Sequence, residues 1–128
     1  MTRPETAGSP WDEATRFIDT YNAFLVVSHV QPDGDAIGST LAMAHILSRL
    51  GKSVLMANDS PIPKKYQFLS MADEIKPWDE AKKTGGFKAV ISVDCADSER
   101  LGSVREVLAE GYPLLNIDHH PTNDRFGA

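Results

Sequence analysis

Cysteine is almost missing from this chain. The 128 residues contain one, Cys95, which excludes an internal disulfide and any zinc centre built from several thiolates, and fits a reducing compartment. By itself Cys95 reads as a small buried hydrophobe at a strand end. Long apolar runs are missing too. No stretch approaches the roughly 20 residues that a helix needs to cross a bilayer, and no basic start followed by an apolar core opens the chain. The protein is therefore expected to be soluble and cytoplasmic. Basic residues are outnumbered, 13 Lys and Arg against 18 Asp and Glu, and the net charge of −5 argues against the basic footprint that grips nucleic-acid phosphates directly. An anion bound here needs a cation to help it.

What is present is the composition of one ordinary globular domain, 41% hydrophobic and 24% charged, with no internal repeat or low-complexity segment. Three short apolar runs each end in acidic residues, and two of them also carry histidine there. "FLVV" (Phe24 to Val27) opens into "SHVQPDGDAIGS", "AVISV" (Ala89 to Val93) into Asp94-Cys95-Ala96-Asp97, and "LLNI" (Leu114 to Ile117) into Asp118-His119-His120. Repeated on short strands, this is the pattern of an open parallel sheet gathering ligands at its carboxyl edge, and the simplest reading is a metal site.

Residues 1–8 are expected to form a loose leader, followed by a helix with Ser9 as cap, Pro10 at its first position and Asp12 at capping-box spacing. Ala14, Phe17, Ile18 and Tyr21 lie at helical spacing and should face a sheet. A strand over Phe24 to Ser28 is followed by a loop and a helix over Ala36 to Leu50, with Ile37, Leu41, Ala44, Ile46 and Leu47 on or near one face and Gly51 as its stop. Val54 to Ala57 is the second strand, and a Pro-marked loop (Asp59 to Pro63) leads to a short helix around Lys64 to Ser70. Between Met71 and Phe87 the pattern is weak, with a helix from Pro77 to Lys83 ended by Gly85-Gly86. Lys88 to Val93 is the third strand, a helix lies within Ser98 to Glu110 and stops at Gly111, and Pro113 to Ile117 is the fourth strand. Strands alternating with helices predict an α/β fold: a doubly wound, mostly parallel sheet of at least four strands with helices on both faces.

The first loop is the richest in chemistry. Imidazole from His29 with carboxylates from Asp33 and Asp35 makes a mixed nitrogen and oxygen set suited to manganese, magnesium, iron or zinc. Gly38 and Ser39, in the first turn of the following helix, leave backbone space, and the positive end of that helix favours an anion. Each element also has a plainer reading: Asp-Gly is a common turn, and a lone histidine after a strand is more often structural than a ligand. Asp94 fits a carboxylate bridging two ions if its strand lies beside the first, though a strand-end aspartate often caps the next helix, a role for which Asp97 and Ser98 compete. Tandem histidines such as His119 and His120 are also common on surface loops. His45 sits in the middle of a helix, far from every cluster, and is assigned to structure or solvent.

Together, "HVQPDGDAIGS", the aspartate of "VISVDCAD" and "IDHHPTND" resemble the first three motifs of the DHH phosphoesterase superfamily in order, spacing and position after strands. The resemblance covers most of the chain from Phe24 onward. The wording "DHHPTNDRFG" is most similar to the branch that degrades very short RNAs and dephosphorylates 3′-phosphoadenosine 5′-phosphate, with cyclic-dinucleotide phosphodiesterases as close relatives. The resemblance implies two manganese ions, with magnesium or another divalent ion as substitutes. His29, Asp33 and Asp94 would hold one ion, and Asp35, Asp94 and His119 the other. His120 would meet the phosphate and assist as proton donor, Asp118 would orient the histidine pair, and Asn123 and Ser39 would contact substrate. In such a site two cations acidify a bridging water and share the charge of an in-line phosphoryl displacement. The partners implied are a short oligonucleotide or a nucleotide phosphate, with no membrane and no long duplex, and a homodimer as the oligomer to test.

Members of that superfamily continue to a fourth aspartate and a smaller substrate-binding domain with a glycine-rich, histidine-containing motif. Residues 9–128 are thus expected to be a partial catalytic domain that binds the second metal weakly and turns over little substrate alone. A cyclic- or linear-dinucleotide phosphodiesterase is the alternative enzyme, and a non-catalytic metal- or nucleotide-binding domain is the alternative for this chain by itself. A phosphatase with an aspartyl nucleophile also follows a strand with Asp-x-Asp, but leaves His29 and the Asp-His-His cluster without a task. An inorganic pyrophosphatase is disfavoured only by the wording of the third motif. Metal ligation needs neutral imidazole, so manganese should bind more weakly at about pH 5.5 than at about pH 7.5, on either side of the ordinary histidine value. Titration calorimetry at the two pH values checks this, and equal affinities would contradict histidine ligation.

Overall fold

Strands that are apolar at every position, instead of at alternate ones, need cover on both faces. A computed structural model, which describes residues 10–29, 34–59, 74–93 and 98–117, uses them in that way. In chain order the elements are α1 (Pro10–Thr20), β1 (Ala23–Val27), α2 (Gly34–Arg49), β2 (Ser53–Asn58), β3 (Ile75–Pro77), α3 (Trp78–Thr84), β4 (Ala89–Val93), a 3₁₀ segment (Ser98–Arg105), α4 (Glu106–Ala109) and β5 (Leu114–Ile117). The five strands form one sheet in the order β3-β2-β1-β4-β5, and every neighbouring pair is parallel. β1 and β4 occupy the middle, where all of β4 and all of β1 except Ala23 are buried.

Side-chain alternation divides the core into two layers. Phe24, Val26, Met56, Ile91, Val93 and Leu115 face α1 and α2, while Leu25, Val27, Ala57, Val90 and Leu114 face α3, the 3₁₀ segment and α4. Helices thus cover both faces, as a doubly wound sheet requires. α1 lays Ala14, Phe17, Ile18 and Tyr21 on the first layer, and Phe17, Tyr21 and Phe24 form a ring cluster with centroids 5.3 to 6.4 Å apart. α2 buries Ala36, Ile37, Thr40, Ala44 and Leu47 at helical spacing, and the Thr40 hydroxyl donates to the Ala36 carbonyl at 2.8 Å. On the second layer, the Trp78 indole N–H donates to Glu106 at 2.6 Å and ties α3 to α4.

The structure departs from the sequence reading in four places. β3 had no signal: it has three residues and contains Lys76 and Pro77, a composition tolerated only at a sheet edge, where its proline need not donate to a ladder. The helix expected within Ser98 to Glu110 is broken, because Gly102 adopts φ 63° and ψ −137° and divides it into a 3₁₀ segment and a short α-helix. Ile46, expected near the buried face of α2, is 49% exposed, about 100° around the helix from Leu47. α2 starts at Gly34 and not Ala36, which moves Gly38 and Ser39 from its first turn to its second. The leader (residues 1–8), the Ser9 cap and the helix expected over Lys64 to Ser70 lie outside the described residues.

Leu47→Ala should lower the unfolding free energy by about 2–5 kcal/mol, whereas Ile46→Ala should change it by about 0.5 kcal/mol or less. Urea denaturation of the two variants checks this, and equal losses would contradict the buried face assigned to α2.

Candidate metal centre

A sheet whose strands all point one way delivers every chain exit to one edge. In this sheet the chain passes from β1 outward to β2 and β3, then returns to place β4 on the other side of β1. The order reverses between β1 and β4, and in open α/β sheets a ligand crevice forms at the carboxyl ends of the strands that flank such a reversal. Val27 of β1 pairs in register with Ala57 of β2 and Ser92 of β4, and Val93 of β4 pairs with Ile117 of β5. With neighbouring strands about 4.8 Å apart, the exits of β1, β4 and β5 fall within about 10 Å of one another. Each of these exits leads into one of the three acidic segments, two of which also carry histidine.

His29 stands two residues past β1 and is 7% exposed, so a titratable ring is held inside the fold at the reversal point. Asp35 is exposed in the first turn of α2, where the positive end of the helix dipole favours a carboxylate. Ser39 is half-buried one turn further on, and a Cβ added to its neighbour Gly38 would meet no atom within 4 Å, so the surface above this turn is open. His45 is exposed on α2, consistent with a solvent role. Asp33, Asp94, Cys95, Asp118, His119, His120 and Asn123 lie outside the described residues. Among the described residues, no group of three or more His, Cys, Asp or Glu side chains comes together. The donors that are described, one imidazole and one carboxylate, suit a borderline to hard divalent cation such as manganese or magnesium.

A layer of buried polar side chains lies at the same edge, and the sequence reading had no place for it. Ser28, Asn58 and Ser92 are 2%, 1% and 0% exposed. The Asn58 amide donates to the Ser28 hydroxyl oxygen at 2.8 Å and to the His29 carbonyl at 3.0 Å, joining the end of β2 to the exit of β1. The Ser92 hydroxyl donates to the Asn116 side-chain carbonyl at 2.8 Å, joining β4 to β5. The signal that could have found this layer is a polar residue at the carboxyl end of an otherwise apolar strand: Asn58 closes "SVLMAN", Ser92 interrupts "AVISV" and Asn116 interrupts "LLNI".

The family model described as "DHH family, N-terminal domain" matches residues 23–127. The chain is 37% identical over 102 residues to the bifunctional oligoribonuclease and PAP phosphatase NrnA of Thermus thermophilus, covering 80% of this chain and 29% of that protein. It is 34% identical over 116 residues to the protein of the same name in Bacillus subtilis, covering 90% of this chain and 34% of that one. The chain therefore spans about a third of the length of these curated relatives. Among solved structures, an exopolyphosphatase-related protein of Bacteroides fragilis superposes with a TM-score of 0.84 at 23% identity, over 98% of this chain and 39% of that one, a likeness of fold. The doubly wound parallel sheet, the acidic and histidine segments at its carboxyl edge and the match across residues 23–127 make this chain a member of the DHH family, of which it carries the N-terminal domain.

Proposed function

We propose that the protein is a manganese-dependent phosphoesterase that hydrolyses phosphodiester or phosphomonoester bonds in short oligoribonucleotides or in 3′-phosphoadenosine 5′-phosphate. The observation that carries this reading is the burial of His29 at the exit of β1, beside β4, at the single place in the sheet where strand order reverses. The relatives named as oligoribonuclease and PAP phosphatase support the substrate class.

His29, Asp33, Asp35, Asp94 and His119 are the residues that would hold two divalent cations, with Asp94 shared between them. Bound there, the cations supply an acidified water at neutral pH and positive charge for the phosphoryl oxygens. The remaining residues act on substrate. The first turn of α2 presents backbone N–H groups that favour a phosphate anion, and Asp35 in that turn is positioned to balance the charge of a cation beside it. Ser39 and Asn123 contact the nucleotide, His120 meets the phosphate and gives a proton to the departing oxygen, and Asp118 orients the two histidines. The net charge of −5 fits this division of labour, because acidic groups alone would repel the substrate that they help to bind once metal is present.

Asp35→Asn keeps the size of the side chain and removes a charged ligand from the exposed start of α2. Manganese-dependent phosphate release from 3′-phosphoadenosine 5′-phosphate, and chain shortening of a dinucleotide to pentanucleotide RNA, should both fall by about 100-fold or more, beyond the loss of an outer partner. The thermal midpoint without metal should hold. Unchanged turnover of both substrates would refute the reading.

A further inference from the structure

Outside the metal ligands themselves, the most constrained polar side chain at the catalytic edge is Asn58. It is 1% exposed, closes β2, and spends its amide on the neighbouring strand's exit. The His29 carbonyl can only accept, so the Asn58 side chain must face it with nitrogen, and the same nitrogen's second hydrogen reaches the Ser28 hydroxyl oxygen. Backbone register between β1 and β2 runs from Ala23 opposite Ser53 to Val27 opposite Ala57. Just beyond that point the Asn58 side chain bridges the two strands, where the chain leaves the sheet and presents His29.

We infer that Asn58 is a positioning residue for the metal centre: its hydrogen bonds to the Ser28 hydroxyl and the His29 carbonyl hold the exit of β1 and thereby aim the His29 imidazole. The inference rests on the metal-centre reading above and names a residue that none of the three acidic and histidine segments contains. Sequence chemistry supports it. A buried polar side chain is costly unless it is fully bonded, and an aliphatic residue would fill the same space between β1 and α2 without that cost. What the amide adds is direction, since one planar group bonds a hydroxyl and a backbone carbonyl on two consecutive residues. Pro77 pairs with Asn58 on its other side and has no N–H to give.

The test uses the intact protein and manganese alone as the probe. Asn58→Leu removes both donors with a side chain of the same branched shape, and Asn58→Ser, which is smaller and stays polar, covers the case in which the leucine variant fails to fold. Leu47→Ala is the control for general destabilisation, because it lies 12 residues along α2 from Asp35, about 18 Å away. Calorimetry should show manganese affinity lowered by about tenfold or more in the Asn58 variants, the size expected for loss of an outer partner, and unchanged in Leu47→Ala despite its lower Tm. In metal-free protein the His29 ring resonances should move in the Asn58 variants, while the β1 amides of Phe24 to Val26 stay in place. Folded Asn58 variants that bind manganese like the unmutated protein would overturn the inference and leave the metal centre intact. Absence of manganese binding in the unmutated protein would instead bring down the metal centre, and this proposal with it.

Discussion

One directional constraint underlies the site: β1 and β4 run parallel, side by side, in the middle of the sheet. Parallel neighbours cannot be joined by a tight turn, and the returns from β1 to β2, from β3 to β4 and from β4 to β5 pass through helices on one face or the other. That alternation puts α1 and α2 on one layer and α3, the 3₁₀ segment and α4 on the other, and the two hydrophobic layers follow from it. It also brings the exits of β1, β4 and β5 to one edge. Without the parallel pairing, His29 and the residues that follow Val93 and Ile117 would belong to opposite ends of the molecule.

The edge is not finished by apolar packing. Ser28, His29, Asn58 and Ser92 are all buried at the carboxyl end of the sheet, in or just past the last residues of strands that are otherwise almost wholly apolar. Buried polar groups of this kind are tolerated when their bonds are made, and here they are made across strands: Asn58 to Ser28 and His29, Ser92 to Asn116. On β1 and β2 the bond lies on the side of α2, and on β4 and β5 on the side of α4, by the alternation of each strand. The strand ends are thus tied on both faces of the sheet. Carboxylates in the proposed site would repel a phosphate until cations joined them, so the acidic composition and the proposed dependence on metal are two aspects of one electrostatic requirement.

Much of this was legible in the residues. Apolar runs with acidic ends located β1, β4 and β5 to within a residue or two, helical spacing located α1 and α2, and the glycine stops at Gly51 and Gly111 have the positive φ that such stops require. The strand–helix alternation was enough for the doubly wound class. Short or conflicted signals failed. β3 is three residues with a lysine and a proline, and Gly102 breaks a run that otherwise reads as one helix. Ile46 and Leu47 are equally apolar, and only the packing of α2 on the sheet decides that the second is buried and the first is not.

By itself the sequence determined the class of the fold and the chemistry of its ends, because periodicity and ligand type are local properties of consecutive residues. Which strands are neighbours is not local. Only the tertiary structure placed β4 beside β1, set the reversal of order at His29, and gave Asn58, which the sequence reading assigned to neither strand nor loop, its bond to the exit of β1. That decision was made by burial: both central strands can hide two apolar faces only in the middle of the sheet, and the polar residues at their ends must then find partners across the strands that this burial makes adjacent.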